Sequence, residues 1–160
     1  MEHYAEHPDV IFVCVKGYSL QETIPFIKRI ARKNTIVIPV LSIYGTGGKM
    51  QKELPDLLVT DGCIYVSANI KEPGKLLQHG QILHIVFGVR DKAEFRPELK
   101  EIQKDLCDSH IDGTLSENIR REALEKFSYV SPIGQQDSIT TQLPQISRKK
   151  AKPENFLRPW

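Results

Sequence analysis

The order of apolar and polar residues predicts alternating strands and helices in the first part of the chain. An unbroken, mostly β-branched apolar run at residues 10–15 is typical of a strand buried on both faces of a parallel sheet. Apolar residues then recur at helical spacing, at Leu20, Ile24, Ile27 and Ala31. Ser19 and Glu22 form a capping-box pattern at the start of this helix. A second apolar run at 35–41 completes a strand–helix–strand unit, which normally forms a right-handed crossover.

The middle of the chain changes to a pattern typical of antiparallel hairpins. The sequence Glu72-Pro73-Gly74-Lys75 is a turn signal between two strand-like runs. Helical spacing returns further on. The elements predicted here are a short helix at 49–54, strands at 62–70, 76–79, 82–88 and 110–112, and helices at 93–108 and 115–130.

Composition places the chain among globular proteins. It has 160 residues, of which 40% are hydrophobic and 26% charged, enough for one ordinary domain. No apolar run has the length of a membrane span, and the acidic, polar start differs from a secretory signal. Cys14, Cys63 and Cys107 form no CxxC pair, which favours buried free thiols in a reduced compartment. We therefore predict a cytoplasmic protein with no membrane partner.

The net charge of +2 conceals an asymmetry. Residues 135–160 carry +3, so the first 134 residues carry −1. This last segment has no sustained period and is predicted to be an irregular basic tail. Its one basic cluster is short and lacks interleaved aromatic residues, so we predict no nucleic-acid partner.

A glycine-rich segment, 45–48, lies between a predicted strand and helix, where a phosphate can bind. Ile43 stands where a Walker loop needs glycine, and Met50 stands where it needs Ser or Thr and where GxGxxG needs glycine. On spacing alone, a plain flexible turn is the favoured interpretation. His3 and His7 have the spacing of metal ligands on a helix but no companions, so no metal site is predicted.

Two lysines are candidates for chemistry. Lys16 follows a buried strand, and the carboxyl ends of strands face the ligand crevice in open α/β sheets. Its position fits a phosphate contact and a solvated strand end equally well. Lys126 lies on the last predicted helix, where lysines are ordinarily solvated. A lysine buried at a cleft, however, can act as a general acid toward a carbonyl oxygen.

In order and spacing, several segments together resemble the ketopantoate reductase family. The resemblance runs from about Asp9 to Gly134 and rests on DVIFVCVKGY (9–18), IPVLSIYG (38–45), GCIYVSA (62–68), Gly74, HG (79–80), FG (87–88), NIR (118–120) and EKF (125–127). The family reduces 2-dehydropantoate (ketopantoate) to pantoate with NADPH, in the synthesis of pantothenate and coenzyme A. Its members have an amino-terminal Rossmann domain and a helical carboxyl-terminal domain.

The resemblance assigns roles to four residues. It implies that Lys126 is the catalytic lysine that protonates the ketone oxygen. It implies that Lys16, Ser42 and Ala68 contact the NADPH cofactor and that Ser42 also contacts the substrate, a small 2-keto acid. The family usually has asparagine at the place of Ser42, and serine is shorter and offers one hydroxyl in place of a carboxamide.

Both ends of the family pattern are missing from the sequence. No GxGxxG unit precedes Asp9, and the match ends near Gly134. We therefore expect an internal piece of a reductase with impaired activity. The fold class is α/β: a partial Rossmann-type domain, βαβ plus antiparallel hairpin strands, followed by the start of a helical domain. The expected divisions are a ragged terminus at 1–8, the carboxyl half of an NADP-binding domain at 9–113, the first helix of the catalytic domain at 114–134, and the tail at 135–160.

A second hypothesis belongs to a different class. The chain is then a non-catalytic remnant or a protein-association module built on the half-sheet. An uncovered sheet edge and exposed apolar surface would favour self-association or partner binding.

Overall fold

The computed structural model describes residues 6–128, an α/β unit of strands and helices. Residues 1–5 and 129–160 lie outside the described residues. They include His3, most of the predicted ragged terminus and the whole of the predicted tail at 135–160. The elements in chain order are β1 (Val10–Val13), α1 (Leu20–Ile30), β2 (Ile36–Pro39), α2 (Thr46–Glu53), β3 (Leu58–Val59), β4 (Asp61–Glu72), β5 (Lys75–Gly88), α3 (Glu98–Asp108), β6 (Asp112–Leu115) and α4 (119–128).

The predicted strand–helix–strand unit is present as β1–α1–β2. β2 pairs in parallel with β1 on one side and with β3 on the other. Because β2 lies between two strands, Ile36, Val37 and Ile38 are almost completely buried. The expectation that the first strand is buried on both faces is wrong, since β1 is an edge strand among the described residues and Phe12 is 38% exposed.

Helix α1 packs the expected apolar face against the sheet, with two differences. Its buried residues are Leu20, Ile24, Ile27 and Ile30, while Ala31 lies just beyond the last turn. The predicted capping box is absent, because a short 3-10 turn at Gly17–Ser19 leads into the helix and the Ser19 side chain makes no capping hydrogen bond. Pro25 is accommodated inside the helix.

Side chains that alternate along β2 divide the core between two faces of the sheet. Val37 packs with α1 and α2 in one cluster. Ile36 and Ile38 pack with α3 in another. Successive residues of a strand point to opposite faces, so β2 contributes to both clusters. Burial of these side chains is the main favourable contribution to the fold.

The antiparallel hairpin is longer than predicted. The segments expected as two strands, at 76–79 and 82–88, form the single strand β5, which pairs with β4 through most of its length. The register shifts between Val66 and Ala68, where β5 carries extra residues around Gly80 (φ 76°). The predicted turn is confirmed, with Gly74 in the left-handed region that favours glycine (φ 78°).

The last elements are shifted along the chain from their expected positions. α3 begins at Glu98 rather than at 93, after a 3-10 turn at Lys92–Glu94. β6 pairs in parallel with β5 and includes Leu115, which was expected on the final helix. That helix begins at 119, and the expected division between 113 and 114 falls within β6.

The three cysteines are not all buried, contrary to expectation. Cys63 is buried, whereas Cys14 and Cys107 are exposed. Among residues 6–128, no helix is long and apolar enough to cross a membrane.

Candidate active site

A polar network fixes the start of α4 and therefore the position of Lys126. The backbone N–H of Asn118 donates to the Ser116 hydroxyl (3.0 Å), and that hydroxyl donates to Glu122 (2.5 Å). The Asn118 side chain caps the helix by accepting from the backbone N–H of Arg121 (3.3 Å). Lys126 and Ile119 are seven residues apart and share a helix face. Ile119 packs on Cys63 and Val86, so this face is turned to the sheet.

The Lys126 amine is enclosed between α4 and β4. Its Nζ donates a hydrogen bond to the carbonyl of Ile64 and lies 5.0 Å from the centre of the Tyr65 ring. The residue is only 7% exposed. Burial lowers the pKa of Lys126 from its ordinary value of 10.5, and the neighbouring Cys63 acts in the opposite direction. The sequence alternative of an ordinary solvated helix lysine is therefore wrong.

The Tyr65 ring packs against this amine, and residues of neighbouring strands contact the ring in turn. It pairs across β4–β5 with His84, and the two rings stack with their centres 5.6 Å apart. His84 Nε2 lies 3.1 Å from the Thr114 hydroxyl on β6. Burial raises the pKa of Tyr65 to about 12. Sequence reasoning missed Tyr65, although its alternation with Cys63 on a predicted strand places both on one face.

Lys16 and Ser42 lie on neighbouring loops at the carboxyl ends of β1 and β2. Both are exposed. The loops touch, because Gly17 packs so closely on Ile43 that a Cβ on Gly17 would overlap its side chain. The Thr46 hydroxyl donates to the Ile43 carbonyl (2.7 Å) and fixes the second loop to α2. The structure thus brings Lys16 and Ser42 to one edge of the sheet.

Strand β4 contacts this same edge of the sheet near its start and contacts Lys126 two residues further along. A Cβ built on Gly62 would lie 2.9 Å from the Pro39 carbonyl, where β2 ends, and Ile64, which accepts from Lys126, is two residues further on. Ala68 is exposed on the projecting hairpin opposite Gln78. At about 3.3 Å per residue it lies about 13 Å along the strand from Ile64, apart from Lys126 and its contacts.

The glycine-rich segment is helical rather than a flexible turn. Gly45 (φ 75°) is the N-cap of α2, and the helix begins at Thr46 instead of at Lys49. Gly47 packs against the Thr60 carbonyl and the Asp61 carboxylate, where a Cβ has no room. Close packing of α2 on the sheet therefore accounts for this glycine.

A second polar cluster lies beneath α2 and has no counterpart in the sequence predictions. Arg90 and Asp61 are almost buried, and their closest charged atoms are 3.8 Å apart. Arg90 also donates to Gln51 (3.3 Å), which in turn accepts from the backbone N–H of Val59 (3.0 Å). These contacts connect α2 to the ends of β3 and β5.

The side chains of His7, His79 and His84 each have a different hydrogen-bond partner. His7 donates to the Ile30 carbonyl (2.9 Å), and His79 donates to Asn69 (2.6 Å). Over the described part of the chain, no three His, Cys, Asp or Glu side chains form a group that could hold a metal ion.

Known proteins are similar to this chain in sequence and in fold. A sequence model described as ketopantoate reductase PanE/ApbA matches residues 2–92. The chain belongs to this family. A comparison with curated proteins gave no match.

Solved structures share the fold. The chain is similar to 2-dehydropantoate 2-reductase from Porphyromonas gingivalis W83 (22% identity, TM-score 0.75, covering 86% of this chain and 47% of that one). It is also similar to 2-dehydropantoate 2-reductase from Geobacter metallireducens GS-15 (16% identity, TM-score 0.73, covering 86% and 45%). A structure of D-mandelate dehydrogenase with NADH and anilino(oxo)acetate is a further match (18% identity, TM-score 0.62, covering 76% and 38%). The chain thus spans about half the length of the first two structures.

Proposed function

We propose that this chain carries part of the active site of an NADPH-dependent reductase of small 2-keto acids, with the reduction of ketopantoate to pantoate as its reaction. The observation that carries this proposal is the buried amine of Lys126 beside the carboxyl edge of a parallel sheet. Ligands of open α/β sheets bind at this edge. Family membership, together with similarity to 2-dehydropantoate 2-reductases and a mandelate dehydrogenase, supports a 2-keto acid as the substrate class.

Lys126 is the proposed proton donor. An ammonium group has three donor hydrogens, and the Ile64 carbonyl takes one of them. The other two remain for the ketone oxygen of a substrate, which gains negative charge as the carbonyl carbon is reduced. A pKa lowered by burial makes proton transfer from this lysine easier than from a solvated one.

Lys16 and Ser42 fit the role of cofactor contacts. Both are exposed at adjoining loops, where the lysine amine can meet a phosphate or another polar group. We propose Ala68 as a third, backbone contact, supplied from the hairpin. NADPH, when bound, supplies the hydride for the reaction. Ser42 also offers one hydroxyl toward the substrate, in place of the longer carboxamide of asparagine.

We expect weak NADPH binding and slow turnover from the 160-residue chain. Its sequence contains no GxGxxG, the motif that holds the pyrophosphate at a helix amino terminus. The expected site therefore lacks its main pyrophosphate contact.

The test is NADPH oxidation by the purified chain with ketopantoate, alongside other 2-keto acids and a simple ketone without a carboxylate. The proposal predicts slow oxidation that saturates with the keto acid and is negligible with the simple ketone. No oxidation above the enzyme-free rate, even at high protein concentration, would contradict it. Turnover as fast as that of ordinary enzymes would support the reaction but overturn the expected impairment.

A second candidate is a protein-association module. The projecting hairpin carries strongly exposed apolar side chains, here called the hairpin patch: Ile70 (72%), Leu76 (76%) and Ile82 (68%). Such a surface favours contact with another protein surface. Analytical ultracentrifugation with an NADPH titration separates the two candidates, because a module associates without binding the nucleotide, whereas a reductase binds it.

A further inference from the structure

Tyr65 makes an aromatic contact with Lys126 and has no part in the reaction proposed above. We propose that Tyr65 is a positioning residue for Lys126, whose ring fixes the ammonium group beside the Ile64 carbonyl and favours its charged form. This inference rests on the proposed role of Lys126 as proton donor. Its geometric basis is the 5.0 Å separation between Lys126 Nζ and the centre of the Tyr65 ring.

A buried ammonium group needs compensation for the water it loses. Among the described residues, no carboxylate lies within ion-pair distance of Lys126. The acidic residues nearest to it on α4 have other partners: Glu122 accepts from Ser116 (2.5 Å), and Glu125 pairs with Arg121 (2.8 Å). The Ile64 carbonyl, the face of the Tyr65 ring and the neighbouring Cys63 thiol on β4 are therefore the groups that favour the positive charge.

The Tyr65 ring is held in place by side chains of the neighbouring strands. His84 stacks on it with an angle of 29° between the ring planes. His84 is in turn held by the Thr114 hydroxyl at 3.1 Å and lies 3.7 Å from Asp112. A row of side chains across β4, β5 and β6 thus supports the Tyr65 ring, against which the Lys126 amine packs.

The contact between the Tyr65 ring and the Lys126 amine has a consequence for the reaction. A general acid must be protonated before the substrate arrives, and burial alone works against this. A cation–π contact becomes stronger when its partners are desolvated. Tyr65 therefore keeps the proton donor charged and limits the directions in which its remaining hydrogens point.

The test measures the pKa of Lys126 directly. In the full chain labelled with ¹⁵N-lysine, the Nζ chemical shift is followed against pH, and the signal is assigned by its loss in Lys126→Met. We expect Tyr65→Leu to lower this pKa by about one pH unit, whereas Tyr65→Phe keeps the ring and leaves it within about 0.3 unit. Phe95→Leu is the matched control, since it removes an aromatic contact to a different lysine, Lys100, and leaves the Lys126 pKa unchanged.

A second series keeps the shape of the ring and alters only its charge distribution. Phenylalanine, difluorophenylalanine and pentafluorophenylalanine are placed in turn at position 65. The inference predicts a stepwise fall in the Lys126 pKa along the series while the fold is retained. This series decides the matter even if Tyr65→Leu does not fold.

An unchanged Lys126 pKa across the fluorinated series would overturn the role of Tyr65. This readout needs no substrate or cofactor, so it is independent of the proposed reaction. If the pKa falls as expected and the chain oxidises no NADPH, the positioning contact stands and the proposed function fails. If the chain is active and the pKa does not respond, the proposed function stands and the positioning contact fails.

Discussion

Lys126 lies where a lysine is normally unfavourable, enclosed by a helix and a strand with 7% of its surface exposed. Lysine is among the residues least often buried without a partner. Here the compensation comes from a backbone carbonyl and an aromatic ring of consecutive residues on β4, together with the neighbouring Cys63. A costly charge maintained at the carboxyl edge of a sheet is typical of a functional group.

The lowered pKa of Lys126 predicts a pH dependence of stability. The folded chain releases this proton at a lower pH than the unfolded chain, whose lysine titrates near 10.5. Between these two pKa values the unfolded state binds more protons, so stability rises with pH through that window. Urea unfolding of the native chain and of Lys126→Met is measured at several pH values from neutral to 10.5. The free energy of unfolding of the native chain should rise relative to that of the variant as pH rises. Parallel curves would contradict this.

Gly88 and Gly48 form a matched pair of glycines for a packing test. A Cβ at Gly88 would lie 2.6 Å from the Ser116 carbonyl oxygen and 3.3 Å from Ile119, so Gly88→Ala should destabilise the fold by about 1–3 kcal/mol. At Gly48, inside α2, the nearest atom would be 4.0 Å away. Gly48→Ala should therefore be neutral or stabilising by up to about 1 kcal/mol. Urea denaturation checks both, and equal effects would show that the contact at Gly88 is unimportant.

The residues of the candidate site differ in how far sequence could identify them. Lys126 and Lys16 are proposed through an ordered resemblance, because their types recur at fixed places in a family. Ser42 is proposed from its place alone, since the family usually has asparagine there. Tyr65 is not, because its importance depends on two contacts made across the fold, to α4 and to β5. The Arg90–Asp61 contact is likewise invisible in sequence, since 29 residues separate its partners.

At the scale of elements, the sequence is most informative where hydrophobic periodicity is strong. β2 and the apolar face of α1 are predicted correctly because burial leaves a clear pattern in them. The starts of α2, α3 and α4 are not, because glycine, 3-10 turns and strand pairing determine those boundaries. The union of two predicted strands into β5 depends on a bulge, which leaves little local signal.

Pro25 gives a test at this scale, because it lies inside α1 and has no backbone N–H to donate. Pro25→Ala allows a hydrogen bond to the carbonyl of Gln21, four residues earlier. We expect stabilisation by about 1–2 kcal/mol, since part of the gain is offset by the greater freedom of the unfolded chain. Thermal or urea unfolding measures it, with Lys28→Ala, an exposed change on the same helix, as a control within about 0.5 kcal/mol of the native chain. A loss of stability would mean that α1 depends on its proline.

For the whole molecule, the main feature is the exposed apolar surface on the projecting β4–β5 hairpin. The hairpin extends beyond the strands that pair with its base, so the hairpin patch has no covering element among residues 6–128. The same fold occurs within solved structures about twice as long. We therefore expect the chain to associate with another protein surface through the hairpin patch, whichever proposed function holds.

Replacing the hairpin patch tests this expectation. The combined change Ile70→Thr, Leu76→Thr and Ile82→Thr removes exposed apolar side chains while retaining residues that suit strands. We expect a shift toward monomer in sedimentation velocity at concentrations where the native chain associates. Gln78→Thr with Gln81→Thr on the same hairpin is the control and should leave association unchanged. Identical behaviour of the native chain and the triple variant would place the contact elsewhere.

The central claim is that Lys126 donates the proton in the reduction of a 2-keto acid. Its most direct test compares NADPH oxidation with ketopantoate by the native chain, by Lys126→Met, and by Lys104→Met, which alters an exposed lysine on α3. Circular dichroism and unfolding first establish that all three are folded. The account predicts that Lys126→Met lowers kcat by at least about 100-fold, the usual contribution of a general acid, while Lys104→Met has no effect. Equal rates for the native chain and Lys126→Met would contradict it.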